Sequence, residues 1–104
     1  WTVTTLAGNP VLAGHAVTFD FDTEGNINGN TSCNSFGGSC TITEGKIEIG
    51  RLRSTRRACE REIMQQERTF LSLLTSATSW AINGDELVLT SPEGEIKAVR
   101  RTAD

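Results

Sequence analysis

Long apolar runs are what this sequence most plainly lacks. Nothing in its 104 residues approaches the roughly 20 consecutive apolar residues that a membrane-spanning helix needs. Aromatic residues are scarce: two tryptophans, four phenylalanines and no tyrosine. With an acidic overall balance, that argues against extended contact with nucleic acid, where aromatic stacking and a basic groove supply the affinity. Histidine occurs once, as His15. A zinc set of Cys33, Cys40, Cys59 and His15 would offer four acceptable ligands, but the spacings match no compact zinc pattern, and no orienting motif supports a Cys–His nucleophilic pair. No basic region followed by an apolar stretch opens the chain, and its first residue is Trp1 rather than Met. It therefore reads as a mature form or an excised domain from which any export signal has gone.

What is present is globular: 37% hydrophobic and 22% charged residues place the chain outside the disordered, fibrous and membrane classes. The length fits one domain, residues 1–104, with a modest core. Formal net charge is −3, yet residues 51–68 hold Arg51, Arg53, Arg56, Arg57, Arg61 and Arg68 against Glu60, Glu62 and Glu67. That segment is positive inside an otherwise acidic protein. It would attract an acidic partner or an anionic surface, against the plainer reading of a solvated, partly self-paired face.

Hydrophobic period assigns the elements. Val17, Phe19 and Phe21 alternate with Thr18, Asp20 and Asp22, the pattern of a strand with one buried face, and Thr23–Asn26 turns the chain back into Ile27. Thr41–Thr43, Glu44-Gly45 and Lys46–Ile49 repeat that logic, with Ile42, Ile47 and Ile49 expected to point inward. A third hairpin spans Ala81–Thr90 about Asn83-Gly84-Asp85, and Ser91–Gly94 turns into Ile96–Val99. From Glu60 to about Ala77 the period changes: Ile63, Met64, Glu67, Phe70, Leu71, Leu74 and Ala77 recur at three- and four-residue spacing, one amphipathic helix whose apolar side covers the sheet or closes a barrel end. The fold class is mainly β (α+β by strict count), an antiparallel meander with one amphipathic helix.

Several local patterns imitate sites. Asp20–Ile27 resembles the start of a calcium-binding loop, but the twelfth position is Thr31 rather than a bidentate Glu and no helices flank it, so a hairpin with acidic residues facing water is expected. Gly37-Gly38 lacks the Lys-Ser/Thr of a phosphate loop and reads as flexible backbone at a strand entrance. Asn30-Thr31-Ser32 fits the pattern of a glycosylation acceptor. Glu67, on the apolar stripe of the helix, is expected to pair with Arg53, Arg56 or Arg57 as a structural ion pair. Three cysteines allow three single disulfides with one thiol over, or three buried reduced thiols.

Over nearly its whole length the chain resembles the META domain, also called the HslJ family. The resemblance rests on Trp1 opening the first strand, Phe19 in the second, Gly29 followed by Cys33-Asn34, Gly37 or Gly38 before a strand, the Gly45 turn, Thr55 to Cys59, Glu67 to Leu74, and the closing hairpin. Ser32 stands where the family usually has Gly, Cys40 near an expected aromatic, and Arg57 at a position usually held by Met. The resemblance implies a mainly antiparallel meander forming a lipocalin-like or barrel-like sheet with one helix, residing in the bacterial periplasm, in the outer membrane as a lipoprotein, or outside the cell. It also implies a link to stress tolerance, antibiotic sensitivity, motility and virulence rather than to a defined reaction. If the protein is exported, Cys33 and Cys59 at the family's matching positions form the disulfide, closing about 26 residues for roughly 3 kcal/mol on the loop-entropy model, and Cys40 is left buried or reactive. Pairings through Cys40 stay open, because sequence does not set Cβ separations.

No nucleophile, base and oxyanion group can be named together, so an enzyme is not expected, nor a metal or cofactor. The leading expectation is a non-enzymatic envelope or secreted module that binds another macromolecule, in one version inhibiting a secreted protease. Trp1 together with Arg51, Arg53, Arg56 and Arg57 is the first surface to test, and membrane contact is confined to a lipid anchor outside this chain. The alternative is carriage of a small apolar ligand inside the barrel, ranked lower because Phe19, Phe21, the isoleucines and the helix would fill it.

Overall fold

A computed structural model describes residues 1–100. The described elements run β1 (Thr2–Leu6), β2 (Asn9–Pro10), β3 (Thr18–Phe21), β4 (Asn26–Asn30), β5 (Ser35–Thr43), β6 (Lys46–Ser54), α1 (Arg61–Ser76), β7 (Ser79–Asn83), β8 (Glu86–Ser91) and β9 (Gly94–Val99). Every strand pairing is antiparallel, and β9 returns to β1 through Thr2↔Val99, Val3↔Ala98, Thr5↔Lys97 and Leu6↔Ile96. Eight strands thus close into a barrel, with the two-residue β2 attached to β1 at Thr5 and Leu6. The expected hairpins are all present in register: Phe21↔Ile27, Thr43↔Lys46, Asn83↔Glu86 and Ser91↔Gly94 flank the four turns.

The barrel is thinnest at two seams that each share a single Cα pair, β1–β3 through Thr2↔Thr18 and β6–β7 through Lys46↔Ser79. The helix α1 lies between β6 and β7 in sequence and packs against β6, β8, β9 and β1, closing one end of the barrel. Glu60 and Ala77 flank it as caps, so the expected span holds to within a residue. Its buried face differs in detail: Gln66 and Leu73 are buried with Ile63, Phe70 and Leu74, while Met64 and Leu71 are only half-buried. Gln66 is drawn inward because its amide crosses to the loop after β2, accepting from the Leu12 N–H at 2.8 Å and donating to the His15 carbonyl at 3.1 Å. A buried amide satisfied on both sides carries little desolvation cost.

Phenylalanines fill the barrel axis. Phe21 meets Phe19 edge-on at 5.6 Å, Phe19 stacks on Phe70 of α1 at 6.1 Å, and Phe70 meets Phe36 edge-on at 5.4 Å. Phe19 and Phe70 are fully buried, each contributing about 2–3 kcal/mol by removing apolar area from water. Two glycines set how tightly the sheet closes. A Cβ on Gly29 would run into the Thr18 carbonyl and the Phe36 ring, and one on Gly38 into the Arg51 carbonyl and Leu52.

Two expectations are corrected here. Gly37 and Gly38 lie inside β5, opposite Arg53 and Leu52, rather than at its entrance. The register shift between Gly38 and Cys40 is a bulge that lets both strands run to nine residues and so carries Arg51 and Arg53 on a strand. Ile42, expected inward, is 44% exposed: it sits on the inward side of β5 but at the end of the barrel that no helix closes.

Candidate functional site

That open end is an apolar bowl of about 130 Å³ lined by Trp1, Phe21, Ile42, Ile47, Trp80, Ile82, Leu87 and Leu89. Strand pairing assembles it. Three cross-strand pairs, Ile42↔Ile47, Trp80↔Leu89 and Ile82↔Leu87, stack hydrophobic side chains across two hairpins. Trp1 and Phe21 complete the wall. Ile47, Leu87 and Leu89 form a buried floor, whereas Ile42 and Ile82, 44% and 47% exposed, stand on the rim. Trp80 is fixed in place: its indole N–H donates to the Thr43 carbonyl at 2.8 Å and its backbone N–H to the Gly45 carbonyl at 3.2 Å. Those two bonds tie β7 to the end of β5 and to the β5–β6 turn. Across the rim the Arg100 guanidinium lies 4.9 Å over the Trp1 ring and 3.8 Å from Asp85.

The opposite end is built differently. The Thr31–Asn34 loop, the connector from Thr55 to Glu60 and α1 meet there, tied by the Cys33–Cys59 disulfide with Cα atoms 6.0 Å apart. Asn34 is 2% exposed and uses its whole hydrogen-bonding capacity. Its Oδ1 accepts from the Arg57 N–H at 2.7 Å and from Thr55 Oγ1 at 2.8 Å. Its Nδ2 donates to Glu67 Oε2 at 2.9 Å and to the Arg57 carbonyl at 3.3 Å. Thr31 Oγ1 donates to the same Glu67 oxygen at 2.5 Å. Glu67 therefore joins the loop to the helix, and the expected arginine pairing is replaced: among the described residues no ion pair reaches it. Arg57 supplies only its main chain to this network, and its side chain is exposed.

Ser32 adopts φ +77°, a left-handed conformation that a side chain disfavours by roughly 1–2 kcal/mol. The Ser32 N–H donates to Asn30 Oδ1 at 2.8 Å, which holds the turn. Asp22, in the loop that imitates a calcium site, instead caps its own hairpin, accepting from the Glu24 and Asn26 N–H groups at 2.8 and 3.0 Å and from Asn26 Nδ2 at 3.1 Å. Those donors, those of Asn26 foremost, lower its pKa from the ordinary 3.8. Cys40 is buried and unpaired by disulfide. Burial, and secondarily the Asp22 carboxylate, pushes its thiol up, the opposite of an activated nucleophile. Two of the cysteines being in a disulfide, the four-ligand zinc arrangement does not exist, and no group of three or more potential metal ligands occurs among the described residues.

The structure separates the sequence-predicted surface. Trp1 is at the bowl; Arg51 and Arg53 lie on β6 and Arg56 and Arg57 on the connector beyond it, all four exposed. From Ile47 in the bowl to Arg53 the strand advances about 20 Å. No ion pair holds any of these arginines among the described residues. Trp80 and Ile82 were missed as site residues, although their period-two spacing in a strand with exposed Ala81 was the signal for a shared face.

The fold and site together define a class: a small, closed antiparallel β-barrel, plugged by a helix at one end and open on an apolar bowl at the other. The sequence matches the META domain over residues 1–104, so the chain belongs to the META domain family. Solved structures share the fold. One, determined by NMR from Burkholderia xenovorans, is 24% identical, with a TM-score of 0.74 over 100% of this chain and 81% of that one. Another NMR structure is 19% identical, TM-score 0.72, over 92% and 83%. A DUF4847 family protein from Bacteroides vulgatus is 15% identical, TM-score 0.66, over 86% and 62%. No curated protein matches the sequence. The family and the disulfide point to an extracytoplasmic protein, since disulfides persist in oxidising compartments. No described helix is long and apolar enough to cross a membrane.

Proposed function

We propose that this META domain is a non-enzymatic binding module of the bacterial periplasm, outer membrane or secreted space, and that it holds a protein partner at the open end of its barrel. The observation that carries this reading is the bowl. At about 130 Å³ it matches one benzene-sized group, for which roughly 150 Å³ suffices, and falls short of the roughly 300–1,000 Å³ of small-molecule sites. The barrel interior beneath is filled by Phe19, Phe70 and Leu89, which weighs against carriage of an apolar ligand. A preformed socket for a single side chain, with Trp80 fixed by hydrogen bonds, suits an anchor residue of a protein.

Cross-linking from a photoreactive residue at position 42, in an envelope and secretome extract of the source organism, tests this. Reproducible capture of one stoichiometric partner, abolished by Ile82→Asp, is the expected result. A protease as that partner establishes the inhibitor version. No capture, or capture indifferent to Ile82→Asp, removes the bowl as the docking site.

A further inference from the structure

The turns around the bowl carry charge of mainly one sign. Phe21 runs into the turn bearing Asp22 and Glu24; Ile42 and Ile47 flank Glu44; Ile82 and Leu87 flank Asp85 and Glu86. Those five carboxylates face only Lys46 and Arg100 as side-chain cations of the same described rim, and Arg100 is already engaged with Asp85 and the Trp1 ring. Asp22, Glu24, Glu44 and Asp85 are exposed. The open end is thus apolar within and acidic around, while the cluster of arginines lies at the far end of β6.

We infer that the bowl takes an aromatic or branched apolar side chain of a protein segment whose flanking residues are lysine or arginine. This rests on the proposed docking role of the bowl and adds the chemistry of its partner. Charge complementarity selects this occupant. An anionic bilayer is repelled by the rim. A second copy offers either an equally acidic open end or an arginine end without an anchor, since the exposed large hydrophobics are Ile42, Ile82 and Val99, all belonging to the open half.

The test is a titration of the purified domain with blocked pentapeptides, Lys-Lys-Phe-Lys-Lys, Glu-Glu-Phe-Glu-Glu and Lys-Lys-Gly-Lys-Lys, followed by NMR through the indole N–H signals of Trp1 and Trp80. The lysine-flanked phenylalanine peptide is expected to bind at least about tenfold more tightly than the glutamate-flanked one at low salt, the gap closing above roughly 0.5 M salt as exposed charges are screened. The glycine peptide is expected to leave both indoles unmoved. Glu44→Lys with Asp85→Lys should reverse the preference, and because both residues are exposed turn positions the variant keeps its fold, checked by circular dichroism. Equal affinity for both phenylalanine peptides overturns the charge inference while leaving the bowl as an anchor site. Failure of either phenylalanine peptide to shift the indoles up to millimolar concentration overturns both. Binding to phosphatidylglycerol vesicles in preference to neutral ones, or concentration-dependent dimers in sedimentation, overturns the assignment of the occupant.

Discussion

Replacing Asn34 by alanine tests how the plugged end is held together. Beside a long, weak contact from its Nδ2 to Cys33 Sγ at 3.4 Å, the side chain makes four hydrogen bonds to oxygen and nitrogen partners, three to neutral groups of Thr55 and Arg57 and one to the Glu67 carboxylate. At about 0.5–1.5 kcal/mol for each neutral bond and about 1.5–3 for the charged one, the gross loss is about 3–7.5 kcal/mol. Thr55 and Arg57 are exposed, so water reclaims their groups, and Glu67 keeps Thr31; the net cost settles near the lower bound, about 3 kcal/mol. For a domain of this size that lowers Tm by roughly 15 °C. The assay is urea unfolding of the oxidised protein followed by tryptophan fluorescence. Asn34→Asp sharpens it. The shape is kept, but a second carboxylate then faces Glu67 where a donor stood, so the loss at pH 7 exceeds that of alanine. A carboxylate pair that is harder to ionise when folded makes the folded state bind the extra proton, so the deficit shrinks as pH falls towards about 4. A loss below about 1 kcal/mol for the alanine variant, or a pH-independent deficit for the aspartate variant, would refute the account.

Ser32→Gly should stabilise by about 0.5–1 kcal/mol, the relief of a left-handed serine less the added freedom of the unfolded chain; a lower urea midpoint would contradict it. Converting Cys33 and Cys59 to alanine should cost roughly 3 kcal/mol through a closure of 26 residues, while circular dichroism still reports a folded barrel because Asn34 holds the connector; unfolding at 25 °C would show that the network is insufficient. Cys40 should resist iodoacetamide at pH 8 in the native protein and react fully in urea, since burial raises its pKa; rapid native labelling would disprove its burial. Asp22 has a lowered folded pKa, so its contribution is present above its ordinary value of 3.8 and is lost as pH falls through the folded one. Asp22→Asn should therefore flatten the acid limb of stability below pH 4, and an unchanged limb would assign the titration elsewhere.

The sequence by itself determined the hairpins within Val17–Ile27, Thr41–Ile49 and Ala81–Val99 and the one helix, because each is a local matter of period and turn chemistry. Alternation along Val17–Phe21 and the two-residue turn at Glu44-Gly45, where Gly45 takes φ +71°, specify hairpins without reference to the rest of the chain. Helical spacing from Ile63 to Ala77 specifies α1 in the same way. Family resemblance, rather than any local rule, pointed to the Cys33–Cys59 pair. Only the tertiary structure decided which inward residues are covered. Ile42 and Ile49 obey the same alternation on paired strands, yet Ile49 is 8% exposed and Ile42 44%, because the helix closes one end of the barrel and leaves the other open. It also decided that Glu67 meets Thr31 and Asn34 rather than an arginine, and that Trp1 stands with Trp80 instead of the arginines. Those contacts join positions from about 30 to nearly 80 residues apart; packing of α1 across the barrel end and closure of β9 on β1 bring them together, long-range arrangements that no local pattern encodes.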